Sequence, residues 1–391
     1  MPKKKIIQLG IILLLAIIAL RFFFTPFKCS PSKGQPFIVR VRVAHDANKL
    51  ELGTSSECEV SDAKTGKLLK KEEAIPEGTE VLSVASGIKL GNETFAARAI
   101  RVSSSGGGLV DLNGTLYRGE MDIIKTDKGF DAVNRVGLED YLKGVVPREV
   151  SHLWPFEVIK AQAIASRSFA AYEAMRRKNK EYDLTADTFS QVYGGQSSER
   201  WRTTRAVEDT EGKVLEYKGK VFPAYFHSCC GGHTQDISRV WNEDLPPLKG
   251  IKCSWCRWSP HFRWQARVPT RTILENLNKD GYQITNINDI REGQRDDSGR
   301  LEYLSIKSSN KWFEITTGDF RNAISKKILK SANFRVKKYP FFYLFSGYGW
   351  GHGVGMCQWG AFGLGLRRWS AGRILRQYYP GTEIVDLKNI P

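Results

Sequence analysis

Residues 138–178 read LEDYLKGVVPREVSHLWPFEVIKAQAIASRSFAAYEAMRRK. Val158, Ala161, Ala165, Phe169 and Tyr172 recur every three or four positions, which predicts a helix with one apolar stripe. Pro155 fits the first turn of that helix, where its missing N–H costs nothing. Arg176, Arg177 and Lys178 complement the dipole at the far end. Before this stretch the pattern has period two. PFIVRVRVA alternates apolar and charged residues and reads as a half-buried strand, and residues 36–137 continue as short strands broken by a Ser/Gly turn at 103–108. After it come a shorter helix over 198–208, a hairpin over 213–227 turning at Lys218–Gly219, and a Cys- and Trp-rich loop over 246–264. Short helices are expected over 271–279 and 319–323, a loop or strand–turn run over 347–365, and a last helix capped by Ser370 and stopped at Pro380–Gly381. The pattern thus changes at Leu138 from strand-like to helical. The organisation expected is a cytoplasmic tip and transmembrane anchor over 1–30, a β-rich part over 36–125 and a third region over 126–385.

The chain has 391 residues, 41% hydrophobic and 26% charged, which excludes a disordered, collagen-like or polytopic membrane protein. Its net charge is +17; five basic and no acidic residues fall in the first thirty positions, leaving +12 for the rest. A basic body suits an anionic partner such as nucleic acid, anionic lipid or an acidic polysaccharide. Residues 6–24, IIQLGIILLLAIIALRFFF, are apolar over about the length needed to span a bilayer. Lys3, Lys4 and Lys5 precede them and favour a cytoplasmic N-terminus, and no small-x-small cleavage site follows. An uncleaved single-pass anchor with the body outside the cytoplasmic membrane is therefore expected. That location, with no Walker loop, dinucleotide-binding glycine motif or zinc-finger spacing, disfavours nucleic acid.

Glu149 stands among Val145, Val146, Val150, Leu153 and Trp154, close before the Trp154–Pro155 helix start. A carboxyl in such surroundings has a raised pKa and suits a general acid; a capping role at the helix N-terminus is the plainer reading. Gln191 and Tyr193, in DTFSQVYGG, form a candidate hydroxyl-binding loop, against the alternative of a turn with satisfied polar groups. His352, Gln358 and Trp359, with Trp350, lie in GWGHGVGMCQWGA, where glycines let backbone approach a ligand closely. FHSCCGGHT, holding His227, Cys229, Cys230 and His233, is followed about twenty residues on by CSWC, holding Cys253 and Cys256. Cys229, Cys230, His233, Cys253 and Cys256 suit tetrahedral zinc; a disulfide between the two segments, or free thiols, are the alternatives.

Four segments in this order, LEDYLKGVVPREVSHLWPFEVIKAQAIASRSFA, DTFSQVYGG, FPAYFHSCCGGHT and GYGWGHGVGMCQWGA, resemble the SpoIID/LytB family, and the likeness covers roughly residues 36–381. The resemblance implies an α+β fold, action on bacterial peptidoglycan and, for the sporulation members, lytic transglycosylase activity on glycan stripped of its stem peptides. The family's catalytic acid falls on Glu149. The chain departs from the family in having Cys229, Cys230 and Cys357 where Ser is frequent, Trp359 where Tyr is common, and Val150–Ser151 where Met-Pro follows the acid.

The reading is a membrane-anchored lytic transglycosylase. Glu149 protonates the oxygen between N-acetylmuramic acid and N-acetylglucosamine and then takes the proton of the muramic C6 hydroxyl, closing a 1,6-anhydro ring. Gln191, Tyr193, His352 and Gln358 are expected to position hydroxyls, with Trp154, Trp350 and Trp359 as stacking faces. No cofactor is needed for this chemistry, and zinc would be structural. The partners expected are peptidoglycan strands, the membrane through the N-terminal helix, and an amidase that strips stem peptides. The rivals are a non-catalytic wall binder that enhances such an amidase, and a water-using muramidase with Asp187 or Asp236 as second carboxylate.

Overall fold

The computed structural model describes residues 36–390 apart from 188 and 189. The expected anchor over residues 6–24 lies outside the described residues. Among the described residues no helix is long and apolar enough to cross a membrane.

The N-terminal part is built on two antiparallel-dominated sheets. One has seven strands in the order Leu184–Thr185, Ile38–Ala47, Phe130–Gly137, Glu120–Lys125, Ala99–Ser104, Cys58–Asp62 and Leu68–Glu72. The other has six, from Thr115–Tyr117 to Glu93–Phe95. The alternation seen in PFIVRVRVA is realised: Val39 and Val41 are fully buried, and Ile38 to Arg42 pair antiparallel with Gly137 to Val133.

The strand Phe130–Gly137 runs directly into helix α1 (Leu138–Glu149), and a short turn leads to α2 (Phe156–Arg176). Pro155 is the residue before α2 rather than its first turn. The single stripe expected for α2 is not what forms. Buried positions run round the whole helix and include Gln162, Ser166, Arg167, Ser168 and Glu173. The reason is its position: α1, α3 (Trp201–Glu208), the strand Lys213–Tyr217 and α8 (Ala371–Tyr378) all pack on it. Its buried polar groups are paired, as burial demands. Arg167, fully buried, forms a two-bond ion pair with Glu139 at 2.8 and 2.7 Å and also reaches the carbonyls of Val207 and Lys213. Because Glu139 lies in the first turn of α1, this pair locks α1 to α2.

The hairpin turns at Lys218 and Gly219, both at positive φ as a tight two-residue turn requires. The C-terminal half holds a second apolar core, built by α5 (Thr270–Lys279), α6 (Thr317–Ile324) and two three-stranded sheets between residues 263 and 348. Between α3 and α5 lies the single-turn helix α4 (Ser238–Trp241). The chain then returns to the first core through the glycine-rich run. That run is not all loop: α7 (Gln358–Gly365) forms within it, capped by Cys357, whose sulfur accepts the Gly360 N–H at 3.2 Å.

Candidate active site and cysteine cluster

Glu149 is the last residue of α1, not a residue at the start of α2, so the capping reading fails. At a helix C-terminus the unpaired carbonyls disfavour a negative charge. Burial pushes the Glu149 carboxyl above its ordinary range, while two hydrogen bonds pull it part of the way back. The Val192 N–H donates to Oε1 at 3.1 Å, and Gln358 Nε2 donates to Oε2 at 3.3 Å. Both partners are amides. No carboxylate is among the groups that shift Glu149, and Asp236 spends itself on Ser238 and Lys249.

The residues around the acid sort into an inner frame and an outer face. Gln358 is buried and bonds both Glu149 and Gln162 Oε1, the latter at 3.4 Å. Its Nε2 is thus spent on the acid and on Gln162. Gln191 is also internal: its oxygen accepts from the Tyr141 hydroxyl at 3.1 Å and its amide reaches the Ser166 carbonyl. Tyr193 gives its hydroxyl to Asn134 at 2.9 Å under the same loop. The pair expected to bind hydroxyls therefore holds the loop that presents Val192 to Glu149. The loop comes so close to α1 that a Cβ on Gly144 would lie 2.6 Å from the Tyr193 ring and 2.8 Å from the Gly195 carbonyl.

His352 also departs from its expected role. Its Nε2 bonds the Phe226 carbonyl at 2.9 Å and its Nδ1 accepts the Val354 N–H at 3.0 Å, so backbone uses both nitrogens. Burial drives its pKa down to about 4, which keeps it a neutral structural imidazole. The aromatic residues divide. Trp154 and Trp359 meet edge-on with centroids 5.0 Å apart, and Phe362 joins both rings. The two tryptophan rings, partly buried, pack against the core that holds the cysteines, and Trp359 is the residue after Gln358. Leu153 beside them is 73% exposed, an apolar side chain left facing outward. Trp350 instead packs on His261 and lies under the Lys330 ammonium.

The cysteines converge. The sulfurs of Cys230, Cys253, Cys256 and Cys357 all lie within 4.8 Å of one another, and all four residues are buried. Four thiolates at about 2.3 Å from a zinc ion would sit about 3.8 Å apart, so the set fits a tetrahedral ion. Cys230 and Cys256 are 3.6 Å apart, and no described cysteine is in a disulfide. Three more features fit a negative cluster. The Cys230 and Gly360 N–H groups donate to Cys357 Sγ, both at 3.2 Å, and the Gly232 N–H to Cys230 Sγ at 3.4 Å. Arg300, fully buried, has no ion-pair partner among the described residues and lays its guanidinium on the carbonyls of Cys230 and His233, leaving Nε unbonded. A buried cation is costly unless negative charge lies near it; Asp296, reached through Ser298, supplies some, and four thiolates around one divalent ion would supply more beside Cys230. A Cβ at Gly360 would strike the Tyr378 hydroxyl at 2.0 Å and Cys253 Sγ at 2.7 Å, so only glycine lets α7 reach the cluster.

The set that converges differs from the one expected to hold zinc. Cys357 joins it. His233 does not, its Nδ1 lying 2.7 Å from the Thr234 carbonyl. Cys229, though buried nearby, points its sulfur at the Cys256 carbonyl. His227 bonds the Val354 carbonyl. The signal for Cys357 was present, because a cysteine in the glycine-rich motif departs from the family's usual residue; only the distance along the chain hid its partners.

Residues 126–217 match the family model described as stage II sporulation protein, and residues 238–355 match a domain of unknown function, DUF8618. The chain is 35% identical to an uncharacterized protein of Brachyspira hyodysenteriae over 71% of its own length and 75% of that protein. It is 30% identical to the stage II sporulation protein D of Bacillus amyloliquefaciens over 65% of its length and 76% of that protein. It is 31% identical to the amidase enhancer of Bacillus subtilis over 63% of its length, a match that takes in only 40% of that larger relative. The chain belongs to the SpoIID/LytB family.

Proposed function

We propose that this member of the SpoIID/LytB family is a peptidoglycan lytic transglycosylase that cleaves peptide-stripped glycan between N-acetylmuramic acid and N-acetylglucosamine. The observation that carries the reading is Glu149, a carboxyl raised in pKa by burial and held by two amide donors, with no carboxylate among the described residues hydrogen-bonded to it. A hydrolase of muramidase type uses a pair of carboxylates, the second to activate water or to attack the sugar. A transglycosylase uses one group twice. Protonated Glu149 gives its proton to the glycosidic oxygen as the C1–O bond breaks. The carboxylate then accepts the proton of the C6 hydroxyl as that oxygen bonds to C1, so no water enters and the acid is restored. Val192 and Gln358 donate to the carboxylate and stabilise it between the two transfers. Trp154 and Trp359 supply apolar faces for the sugar rings.

We assign Cys230, Cys253, Cys256 and Cys357 to a structural zinc ion, which would supply no chemistry to the reaction. In this reading the body works outside the cytoplasmic membrane, where the wall is, with an amidase upstream to expose the strand. The test is mass spectrometry of products from the full-length protein with intact and peptide-stripped glycan, beside Glu149→Gln. Anhydro-muramic ends from stripped glycan, absent with the variant, are expected. Products one water heavier would make it a hydrolase. No cleavage, with a partner amidase accelerated equally by wild type and Glu149→Gln, would replace the reading with that of an amidase-enhancing wall binder.

A further inference from the structure

A cleft of ≈1050 Å³ lies away from Glu149 and shares no residue with its surroundings. Four arginines line it: Arg257, Arg263, Arg295 and Arg335. Their only ion-pair partner among the described residues is Glu292, whose Oε2 meets Arg295 at 2.8 Å and Arg335 at 2.7 Å. Arg295 is further pinned by the carbonyls of Gly299 and Phe334. Arg257 and Arg263 are exposed and have no carboxylate of their own among the described residues. Between the charges lie rings: Phe262 meets Tyr348 with centroids 5.9 Å apart, and the Arg263 guanidinium stands over the Tyr348 face.

We propose that this cleft is a second binding site for the glycan strand, taking the lactyl carboxylate of a muramic residue between Arg257 and Arg263 with a sugar face on the Phe262–Tyr348 rings. The inference rests on the reading of the substrate given above. Removing a stem peptide leaves that carboxylate bare on alternate sugars, so the strand carries single, spaced negative charges. Two guanidiniums are already shared with Glu292, which would repel a dense phosphodiester chain, and two are left for one carboxylate, which guanidinium binds as a fork. An intact stem peptide ties up the carboxylate in an amide and adds bulk, so the cleft selects for stripped strands independently of the acid. Its walls are fastened to the cysteine cluster. Arg257 follows Cys256, and Gly231, also in the lining, follows Cys230.

The test is binding by the full-length protein carrying Glu149→Gln, so that nothing is cut. The probes are peptide-free glycan strands and the same strands with their carboxylates methyl-esterified. The added variants are Arg257→Gln, Arg263→Gln and their double; both side chains are exposed and have no carboxylate partner among the described residues, and a thermal melt checks that the fold is kept. The expected result is tighter binding of the free-acid strands that falls with salt, a loss of about tenfold in the double variant, and no effect of the double variant on the esterified strands. Equal binding of the two probes, or full binding of free-acid strands by the double variant, would overturn the site. Cleavage by the Glu149-intact protein is read separately. Arginine-dependent binding without any cleavage would sink the transglycosylase and leave the cleft standing; cleavage without arginine dependence would do the reverse.

Discussion

Gly144→Ala tests whether the loop over α1 holds the acid. The added Cβ would lie 2.6 Å from Tyr193 Cε2 and 2.8 Å from the Gly195 carbonyl oxygen. Neither neighbour yields easily, because the first ring is tied by its hydroxyl to Asn134 at 2.9 Å and the second atom is backbone. An ordinary contact needs roughly 3.6 Å, so the loop must retreat by about 1 Å. That movement carries Val192 with it and opens its 3.1 Å bond to Glu149 beyond hydrogen-bonding range. Two terms oppose each other in the stability. Overpacking costs about 1–3 kcal/mol, and alanine in a helix interior recovers about 1 kcal/mol over glycine. The net loss is therefore about 0–2 kcal/mol, while a displacement of about 1 Å at a reacting group lowers the rate on the order of a hundredfold. The assay pairs a thermal melt with release of anhydro-muramic ends from stripped glycan. A near-normal melt with a large fall in rate is expected. A well-folded variant cutting within twofold of wild type would refute the loop's part in holding the acid.

Three further outcomes are expected. A carboxyl raised in pKa by folding binds its proton more tightly in the native state, so it lowers stability as pH climbs from the ordinary carboxylate range through the raised value. Relative to Glu149→Gln, wild type should lose melting temperature over that rise and recover it on acidification; a difference flat in pH would contradict the buried-acid reading. Cleavage should fail on the alkaline side of the same titration, because the first step needs the protonated acid, and a rate that keeps rising there would exclude Glu149 as proton donor. Protein purified under reducing conditions should hold about one zinc per chain by elemental analysis, and Cys357→Ser should lose it while His233→Ala keeps it; metal retained by the first and lost by the second would restore the ligand set read from spacing alone.

What was legible follows from how far along the chain each feature reaches. Local signals were sound: the alternation in PFIVRVRVA, the turn at Lys218–Gly219 and the cap at Ser370, which accepts the Arg373 N–H, each depend on a few neighbouring residues. The features that failed depend on neighbours distant in sequence. The stripe on α2 vanished because helices and strands from both sides of the sequence enclose it. Gln191 and Tyr193 carry the right groups for sugar recognition, and only the fold reveals that Tyr141, Ser166 and Asn134 have already used them. The same holds for His352, whose backbone partner Phe226 lies 126 residues away. Residue type marked Glu149 as a candidate acid beside Val145, Val146 and Val150, but the capping reading was plainer until the fold ended α1 at that residue. Nor could residue type announce the orienting role of Gln358, which depends on a contact spanning 209 residues.

The cysteine cluster and the acid are joined through one peptide step. Cys357 contributes its sulfur to the cluster and caps α7; Gln358, the next residue, opens that helix and donates to Glu149. Four thiols from three segments thus fix where a single amide points. On the zinc assignment proposed above, an ion with no part in the chemistry would still govern the rate. Releasing it frees the α7 start by the few tenths of an ångström over which the 3.3 Å bond to Glu149 is kept or lost. Chelation should therefore lower the rate before it unfolds the molecule. The alkaline limb of the pH profile should move upward with it, since the Gln358 amide is one of the two groups that favour the charged carboxylate. A purely scaffolding ion would lower activity and melting temperature together and leave the pH profile in place, and that outcome would sever the cluster from the acid.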